Sequence, residues 1–330
     1  MLLNNHIITI PQFQSFTSIK NENTIVVIDE NVYNIYQKKI KKYSTIVIKA
    51  GEKHKNQTTV NSILKQLISL KANRATTLVG IGGGVVTDIT GYVASVYMRG
   101  INFGFVPTTL LAMVDASIGG KNGVNLGVYK NMIGTFNQPE FIIQDVSFLK
   151  TLPNKEWQNG FAEIIKHASI CNNKMFNELQ NQTLKKWQLN TKRLEALIEH
   201  NINIKCNIVA NDVYEKGDRK LLNFGHTLGH ALENEYKLSH GQAISIGMVF
   251  ACKLSEQILG FNKTKLIKDL LLKYGLPINY EFNKIKVFKI LTNDKKREVD
   301  KINFILLEDI GVSKIVAIKL EDIKNALQVF

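Results

Sequence analysis

The first half of the chain alternates short apolar runs with longer stretches in which apolar residues recur at helical spacing. The apolar runs are rich in β-branched residues and end in glycine or polar residues, as strands do. Strands that alternate with helices predict a mostly parallel sheet with helices on its faces. The predicted strands are Thr24–Asp29, Thr45–Ile48, Thr77–Ile81, Phe103–Val106 and Phe141–Gln144, and the predicted helices between them include Gln57–Leu70 and Val85–Tyr97.

The pattern changes after Pro153, where helical spacing continues and strand-like runs become rare. This change predicts two domains. Residues 1–150 would form an α/β domain, and residues 151–330 would form an all-α domain. The predicted helices of the second domain are Glu156–Ile170, Lys192–Val209, Gly225–Tyr236, Gln242–Leu259 and Thr264–Lys273.

Length and composition agree with two globular domains. The chain has 330 residues, of which 45% are hydrophobic and 21% are charged, so a disordered or fibrous protein is excluded. It contains no apolar run long enough for a membrane span. Its first residues lack a basic stretch followed by an apolar core, so the sequence predicts no secretory signal. The three cysteines, Cys171, Cys206 and Cys252, form no C-x-x-C pair. They indicate reduced thiols and a cytoplasmic location.

The net charge is unusual. The chain has 42 lysines and arginines but only 28 aspartates and glutamates, which gives a formal net charge of +14. Such a surplus suits either a nucleic-acid surface or an anionic small substrate on a lysine-rich background. The densest basic clusters, Lys38–Lys42 and Lys295–Arg297, are short and are not interleaved with aromatic residues. A platform for single-stranded nucleic acid needs such aromatics. The sequence therefore favours an anionic small molecule and no nucleic-acid partner.

A glycine triplet, Gly82-Gly83-Gly84, stands between a predicted strand and a predicted helix. Glycines there let a backbone approach a pyrophosphate, and a helix N-terminus favours negative charge. The triplet differs from G-x-G-x-x-G, so a tight strand-to-helix turn without a ligand is the alternative interpretation.

Further polar residues follow the next predicted strand. Thr108 and Thr109 come directly after it, and Lys121 follows two glycines. Lys130 and Asn131 stand in a segment bounded by glycines. Polar groups near the carboxyl ends of parallel strands favour a ligand crevice, whereas a polar loop is the competing interpretation.

The second half contains a pattern typical of a metal site. Glu163 and Lys166 are three residues apart and share a helix face. His226 and His230 are four apart, and His240 follows. One glutamate with two or three histidines can hold zinc and leave a position open for substrate. The spacing by itself favours His226 with His230, but it does not decide which histidines bind, and histidines that only pack helices remain possible.

The chain resembles the 3-dehydroquinate synthase family of sugar phosphate cyclases from about Asp29 to about Gly311. The resemblance rests on seven segments in the family's order: GGGVVTDITGYVASVYMRG, PTTLLAMVDASIGGKNGVN, KNMIGTF, FLKTLP, GFAEIIKHA, LNFGHTLGH and SHGQAISIGM. It implies an N-terminal α/β domain with a mostly parallel, Rossmann-like sheet that binds NAD. It also implies a helical C-terminal domain that binds metal.

The resemblance also implies roles for individual residues. Zn²⁺ or Co²⁺ would be held by Glu163, His226 and His240. NAD would contact Asp29, Glu52, Lys55, Gly83, Gly84, Asp88, Thr108, Thr109, Lys121, Lys130, Phe148 and Thr151. The substrate would contact Asp115, Lys121, Asn131, Lys166, Lys205, Arg219, Asn223 and His230, with Lys295 or Lys296 near its phosphate. Arg99 would reach the phosphate site of a neighbouring subunit, which implies a homodimer.

The implied reaction is that of a carbon–oxygen lyase in the shikimate pathway of aromatic amino acid biosynthesis. It converts 3-deoxy-D-arabino-heptulosonate 7-phosphate into 3-dehydroquinate and phosphate. NAD would oxidise a hydroxyl transiently, phosphate would be eliminated, the ketone would be reduced again and an aldol step would close the ring.

Two residues depart from the family's pattern on the NAD side. Ala50 stands where the family often has aspartate, and Thr87 stands where glycine is common in the glycine turn. Thr87 would be accommodated if its backbone is helical. The alternative functions are another sugar phosphate cyclase, which would differ in substrate, and a metal-dependent polyol dehydrogenase, which would produce net NADH.

Overall fold

The computed structural model describes residues 7–9, 18–19, 23–127, 129–292, 297–298 and 300–330. The chain divides into two compact units. The first contains residues 1–156 and 195–213, and the second contains residues 157–194 and 214–330. The domain boundary predicted between residues 150 and 151 stays a prediction. The two units differ from it chiefly because residues 195–213 group with the N-terminal segment.

The first unit is built on a six-stranded sheet in the order β1-β8-β5-β4-β2-β3, and all of its pairings are parallel. The inner strands are apolar along their length because helices cover both faces of such a sheet; residues 24–28 of β2, for example, are all buried. The strands are β1 Ile7–Thr9, β2 Thr24–Asp29, β3 Ser44–Ile48, β4 Thr77–Gly82, β5 Asn102–Pro107 and β8 Phe141–Gln144.

Helices and one hairpin complete the first unit. Side-chain caps fix two helix starts, because Asp29 accepts from the backbone amides of Asn31 and Val32, and Asn56 accepts from that of Thr59. The antiparallel hairpin β6–β7 packs against the third helix. The elements are α1 Glu30–Ile40, α2 Gln57–Ser69, α3 Gly84–Val96, β6 Lys121–Leu126 and β7 Tyr129–Phe136.

The sheet order reverses direction between β2 and β4. The chain passes from β2 to its neighbour β3, and then returns to the other side of β2 to form β4. In open α/β sheets, ligands bind at the carboxyl ends of the two strands where the order reverses. In this protein those strand ends carry Asp29 and the Gly82–Gly84 turn.

The second unit is mainly helical, and a small antiparallel sheet lies near its end. Helices α8, α9, α11 and α12 pack with strand β10 around one apolar core that includes Leu232, Phe250 and Leu306. The elements are α4 Asn154–Cys171, α5 Asn173–Gln180, α6 Leu184–Leu189, α7 Thr191–Asn211, α8 His226–Tyr236, α9 His240–Leu259, α10 Thr264–Lys273, α11 Lys284–Thr292, β9 Arg297–Glu298, β10 Lys301–Asp309, β11 Val312–Lys319 and α12 Leu320–Val329. The first residues of α4 and most of α7 group with the first unit.

The predicted fold class is confirmed, with one correction. The elements Thr24–Asp29, Phe141–Gln144 and Thr264–Lys273 have the predicted bounds. The prediction that the C-terminal part is all-α is wrong, because β10 and β11 form a regular antiparallel pair. No helix in the described part of the chain is both long and apolar enough to cross a bilayer.

Candidate active site

The glycine turn lies between β4 and α3. Gly83 precedes the first helical residue, and no side chain of the described residues caps the amides that follow it. At all three glycines of the turn a side chain would crowd a neighbouring residue. A Cβ atom on Gly82, Gly83 or Gly84 would lie 2.4 Å from Val86, 3.0 Å from Thr109 or 3.1 Å from Ala116, respectively. The turn therefore offers bare amide groups at a helix N-terminus, an arrangement that favours an anion.

Thr87, which departs from the family's pattern, lies inside α3. Its backbone is helical, its side chain is buried, and its hydroxyl donates to the carbonyl of Gly84 at 3.0 Å. The condition under which a threonine fits this position is therefore met. Ala50 lies at the other departure, where its backbone amide donates to Glu30 at 3.3 Å.

A buried ammonium joins three segments of the first unit. Lys55 is 5% exposed, and its Nζ pairs with Asp88 of α3 and donates to Asn131 Oδ1 of β7 at 2.5 Å. Burial raises the pKa of Asp88, and the neighbouring Lys55 opposes that effect. Burial likewise raises the pKa of Asp29 at the end of β2. The structure thus brings Lys55, Asp88 and Asn131 into contact. Residues that bind one ligand are expected to be neighbours in this way.

Two threonines follow β5. Thr108 is buried, its amide donates to the carbonyl of Gly82 at 2.9 Å, and its hydroxyl has no hydrogen-bond partner among the described residues. Thr109 accepts from the amide of Ala112 at 3.1 Å. A buried hydroxyl without a partner costs free energy unless a ligand or water satisfies it. Thr108 therefore marks a place for a polar ligand group beside the glycine turn.

Two further residues assigned to NAD lie in the short helix Val146–Thr151. The ring of Phe148 is buried and packs edge-on against Tyr36, with centroids 5.0 Å apart. The hydroxyl of Thr151 lies 3.2 Å from that of Tyr36. Both contacts hold this short helix against α1. They therefore give Phe148 and Thr151 a structural role that requires no ligand.

An ion pair joins α7 to the turn Ala112–Ala116, which follows β5 along the chain. Lys205 of α7 is buried, and its Nζ lies 2.7 Å from Asp115 Oδ1 and also contacts the carbonyl of Asp115. Asp115 stands in the π-helical turn Ala112–Ala116. Lys121 is exposed at the start of β6, and Lys130 is half-buried in β7.

The second unit contains a cluster of potential metal ligands. One donor atom each from Glu163, His226 and His240 lies within 4.8 Å of the others. Glu163 is fully buried, and its Oε1 lies 3.1 Å from His240 Nε2 and 3.6 Å from His226 Nε2. Its other oxygen pairs with Lys166. His230 is outside this cluster, although its ring stacks edge-on with His226 at 5.1 Å.

Neighbouring groups turn both histidine rings the same way. His226 Nδ1 lies 3.1 Å from the carbonyl of Phe224, and His240 Nδ1 lies 3.6 Å from Glu233 Oε2. Each ring thereby presents its Nε2 toward Glu163, which is how outer groups orient metal-binding histidines. Sequence reasoning missed Glu233, although a glutamate one turn beyond His230 on the same helix was a visible signal.

The pKa values of this cluster follow from its crowding. Burial alone would raise the pKa of Glu163, but Lys166 and the two histidines outweigh burial and hold it well below its usual value. Burial lowers the pKa of His226 to about 3. Burial opposes protonation of His240 as well, yet Glu163 and Glu233 raise its pKa to about 10.

The remaining predicted residues are distributed as follows. Arg219 is buried in the short helix Asp218–Asn223, and Asn223 donates to Glu215 at 2.5 Å. Arg99 is exposed, with φ of +68°, and stands between Met98 and Gly100, which also have positive φ. Lys295 and Lys296 lie outside the described residues.

Comparison with known proteins connects this geometry to a family. The model of the 3-dehydroquinate synthase N-terminal region matches residues 45–159, and that of the C-terminal region matches residues 160–297. A 3-dehydroquinate synthase from Campylobacter concisus is 43% identical over 292 residues, which cover 86% of this chain and 83% of the relative. One from Pyrococcus furiosus is 42% identical over 294 residues, which cover 86% of each chain.

The chain belongs to the 3-dehydroquinate synthase family. The resemblance found in the sequence is thereby confirmed. The ligand cluster and the glycine turn both lie within the segments that match the family's two models.

Solved structures with the same fold include relatives of the 3-dehydroquinate synthase family. A 2-epi-5-epi-valiolone synthase from Streptomyces hygroscopicus subsp. jinggangensis, with NAD⁺ and Zn²⁺ bound, has a TM-score of 0.89 and 25% identity, and the match covers 98% of this chain and 96% of that one. A 2-deoxy-scyllo-inosose synthase in complex with carbaglucose-6-phosphate, NAD⁺ and Co²⁺ has a TM-score of 0.85 and 25% identity, over 97% of this chain and 96% of that one. The roles of individual residues in this chain stay predictions.

Proposed function

We propose that this chain converts 3-deoxy-D-arabino-heptulosonate 7-phosphate into 3-dehydroquinate and phosphate, with NAD and a divalent metal as cofactors. The observation that carries the proposal is the cluster of Glu163, His226 and His240 in a chain that matches its family over most of its length. The enzyme would be a carbon–oxygen lyase of the shikimate pathway.

The first unit fits NAD. The strand order reverses between β2 and β4, and the glycine turn supplies uncapped amides at the start of α3. The unpartnered hydroxyl of Thr108 supplies a polar group beside that turn. A pyrophosphate would lie at the amides of Gly83 and Gly84, and the other residues assigned to NAD are those that the resemblance implies.

The second unit fits Zn²⁺ or Co²⁺. One carboxylate oxygen and two imidazole Nε2 atoms form a three-ligand set. Catalytic zinc sites combine such a set with a fourth position that is open to water or substrate. The two carboxylate oxygens of Glu163 have different partners, since one faces the histidines and the other pairs with Lys166. When bound, NAD would supply a reversible hydride acceptor and the metal a Lewis acid.

The chain's own residues would bind and orient the substrate. The buried guanidinium of Arg219 can grip an oxyanion by two parallel hydrogen bonds. The ammonium groups of Lys166 and Lys205 are held by Glu163 and Asp115, so they are positioned as fixed cations for an anionic substrate. The assigned substrate residues are Asp115, Lys121, Asn131 and Lys205 in the first unit and Lys166, Arg219, Asn223 and His230 in the second.

The assembly proposal is a homodimer with a cytoplasmic location. Exposed apolar side chains stand near Arg99, at Val96 and Met98 and on the outward face of β7 at Met132 and Phe136. Thr135 of β7 bonds to Ser95 of α3 at 3.1 Å, so Met132 and Phe136, which alternate with Thr135 along the strand, face away from α3. A second copy of this chain is the proposed occupant of the surface formed by Met132 and Phe136, which we call the Phe136 face, since the resemblance implies that Arg99 reaches a neighbouring subunit.

Phosphate release tests the proposed function. Purified protein, NAD⁺ and Zn²⁺ or Co²⁺ are mixed with the heptulosonate phosphate, and both phosphate and NADH are followed. We expect stoichiometric phosphate with no net NADH. Glucose 6-phosphate, of which carbaglucose-6-phosphate is an analogue, serves as the control substrate and should release none. Net NADH without phosphate would instead identify a dehydrogenase, and turnover of glucose 6-phosphate alone would identify another cyclase.

A further inference from the structure

Asn125 lies one residue before the end of β6 and makes hydrogen bonds to two other segments. Its amide nitrogen Nδ2 donates to Glu52 Oε1 at 2.8 Å, and its Oδ1 accepts from the backbone amide of Asn131 at 2.9 Å. Its own backbone amide donates to the carbonyl of Lys55 at 2.9 Å. The side chain of Asn125 is therefore used at both of its polar ends.

The two segments that Asn125 joins have different assigned roles. Glu52 and Lys55 belong to the set assigned to NAD, and Asn131 belongs to the set assigned to the substrate. Sequence reasoning gave Asn125 no role. Its position is nevertheless central, because the side chain of Asn131 is also held by Lys55.

Asn131 needs this support because its backbone is in the left-handed region, with φ of +52°. That conformation costs free energy for residues other than glycine and is tolerated best by asparagine and aspartate. The bond from its amide to Asn125 and the bond from Lys55 to its side chain together fix where Asn131 points.

We infer that Asn125 is a positioning residue that holds Glu52 and Asn131 in fixed relation, and thereby couples the NAD side of the first unit to the substrate side. The inference rests on the proposed function, since that function assigns Glu52 to NAD and Asn131 to the substrate. The carboxamide is suited to the task because it donates at one end and accepts at the other.

Substitutions separate the two ends of Asn125. Asn125→Ala removes both bonds. Asn125→Asp keeps an acceptor for the amide of Asn131 but places a carboxylate against Glu52. The double variant Asn125→Asp with Glu52→Gln restores a hydrogen bond with donor and acceptor exchanged. Leu126→Ala is the matched control, because Leu126 is the exposed neighbour of Asn125 and has no assigned role.

The measurements are the dissociation constant of NAD⁺ by calorimetry, the KM and kcat for the heptulosonate phosphate, and the thermal unfolding midpoint. We expect Asn125→Ala to weaken NAD⁺ binding and raise KM, each by about tenfold, as the loss of one well-placed hydrogen bond does. Asn125→Asp should weaken NAD⁺ binding to the same extent and leave KM within about twofold. The double variant should bind NAD⁺ as well as Glu52→Gln alone.

Two results would overturn the inference. One is that Asn125→Ala matches Leu126→Ala in every constant. The other is that Asn125→Asp changes KM as much as Asn125→Ala does, because the two ends would then have no separate roles. Failure of the proposed function is distinguishable, since the unsubstituted protein would then release no phosphate from the heptulosonate phosphate.

Discussion

At the scale of single residues, the histidines illustrate what spacing along a sequence can and cannot predict. Spacing favoured His226 with His230, whereas the structure groups His226 with His240 and Glu163. The chain reverses between α8 and α9, where Lys237 adopts a left-handed backbone and Ser239 caps the next helix. Periodicity within one helix carries no information about a reversal between two helices. The resemblance to a family implied the grouping of His226 with His240 instead.

Removal of a ligand tests the metal assignment. We expect Glu163→Ala and His240→Ala each to lose bound zinc, because two remaining ligands hold the cation far more weakly than three. His230→Ala should keep stoichiometric zinc and serves as the matched control on the same helix as His226. Metal content after dialysis is the measurement. Stoichiometric zinc in either ligand variant would contradict the assignment.

Proton release on metal binding is expected from the pKa values. The raised pKa of His240, about 10, means that this ring carries a proton at neutral pH in the metal-free protein, whereas His226, with a pKa of about 3, does not. A metal ligand must be deprotonated. Zinc binding should therefore release about one proton, and zinc affinity should fall as the pH is lowered, by about tenfold per unit between pH 8 and 6.5.

Calorimetry in buffers of different ionisation enthalpy measures that proton. Glu233→Gln should reduce the release, because Glu233 helps to hold the proton on His240. Glu235→Gln on the same helix, whose carboxylate pairs with Lys286, is the control and should leave it unchanged. Zinc binding without proton release at neutral pH would refute this account of His240.

At the scale of elements, most helices and strands could be predicted because their patterns are long and regular. The hairpin β6–β7 and the strands β10 and β11 could not. The hairpin contains glycines at Gly123 and Gly134, where the two backbones cross so closely that a Cβ atom would lie 2.5 Å and 2.3 Å from a facing carbonyl oxygen. Glycines of this kind interrupt the alternation by which a strand is recognised.

The glycine turn can be tested as an element by Gly82→Ala. A Cβ atom there would lie 2.4 Å from a methyl group of the buried Val86. The clash should lower the free energy of unfolding by about 1–3 kcal/mol, the usual cost of overpacking. Urea denaturation measures it. The double variant with Val86→Ala removes the opposing methyl groups, so it should be less destabilised than the two single effects combined. Simple additivity would show that the methyl groups of Val86 are not the source of the destabilisation, since Val86 Cβ, which would lie 2.6 Å from the new Cβ atom, is present in both variants.

At the scale of the whole molecule, the Phe136 face permits a test of assembly. We expect the unsubstituted protein to sediment as a dimer and the Phe136→Glu variant to sediment as a monomer. In a dimer the new carboxylate would be buried in an apolar contact without water to solvate it, which is unfavourable. Leu126→Glu places the same charge on an exposed apolar residue of the same hairpin outside that face and should leave the dimer intact. An unsubstituted protein that sediments as a monomer would contradict the proposed homodimer.

The division of the chain between the units has a consequence for its synthesis. The first unit includes residues 195–213, and its Lys205 pairs with Asp115, ninety positions earlier. The N-terminal unit therefore cannot acquire its full set of contacts as soon as residue 156 leaves the ribosome. At about 5–20 residues per second, residue 213 emerges roughly 3–11 s after residue 156. During that interval the pairing of Asp115 with Lys205 cannot form, so the first unit completes its contacts only after residues 157–194 of the second unit have been synthesised.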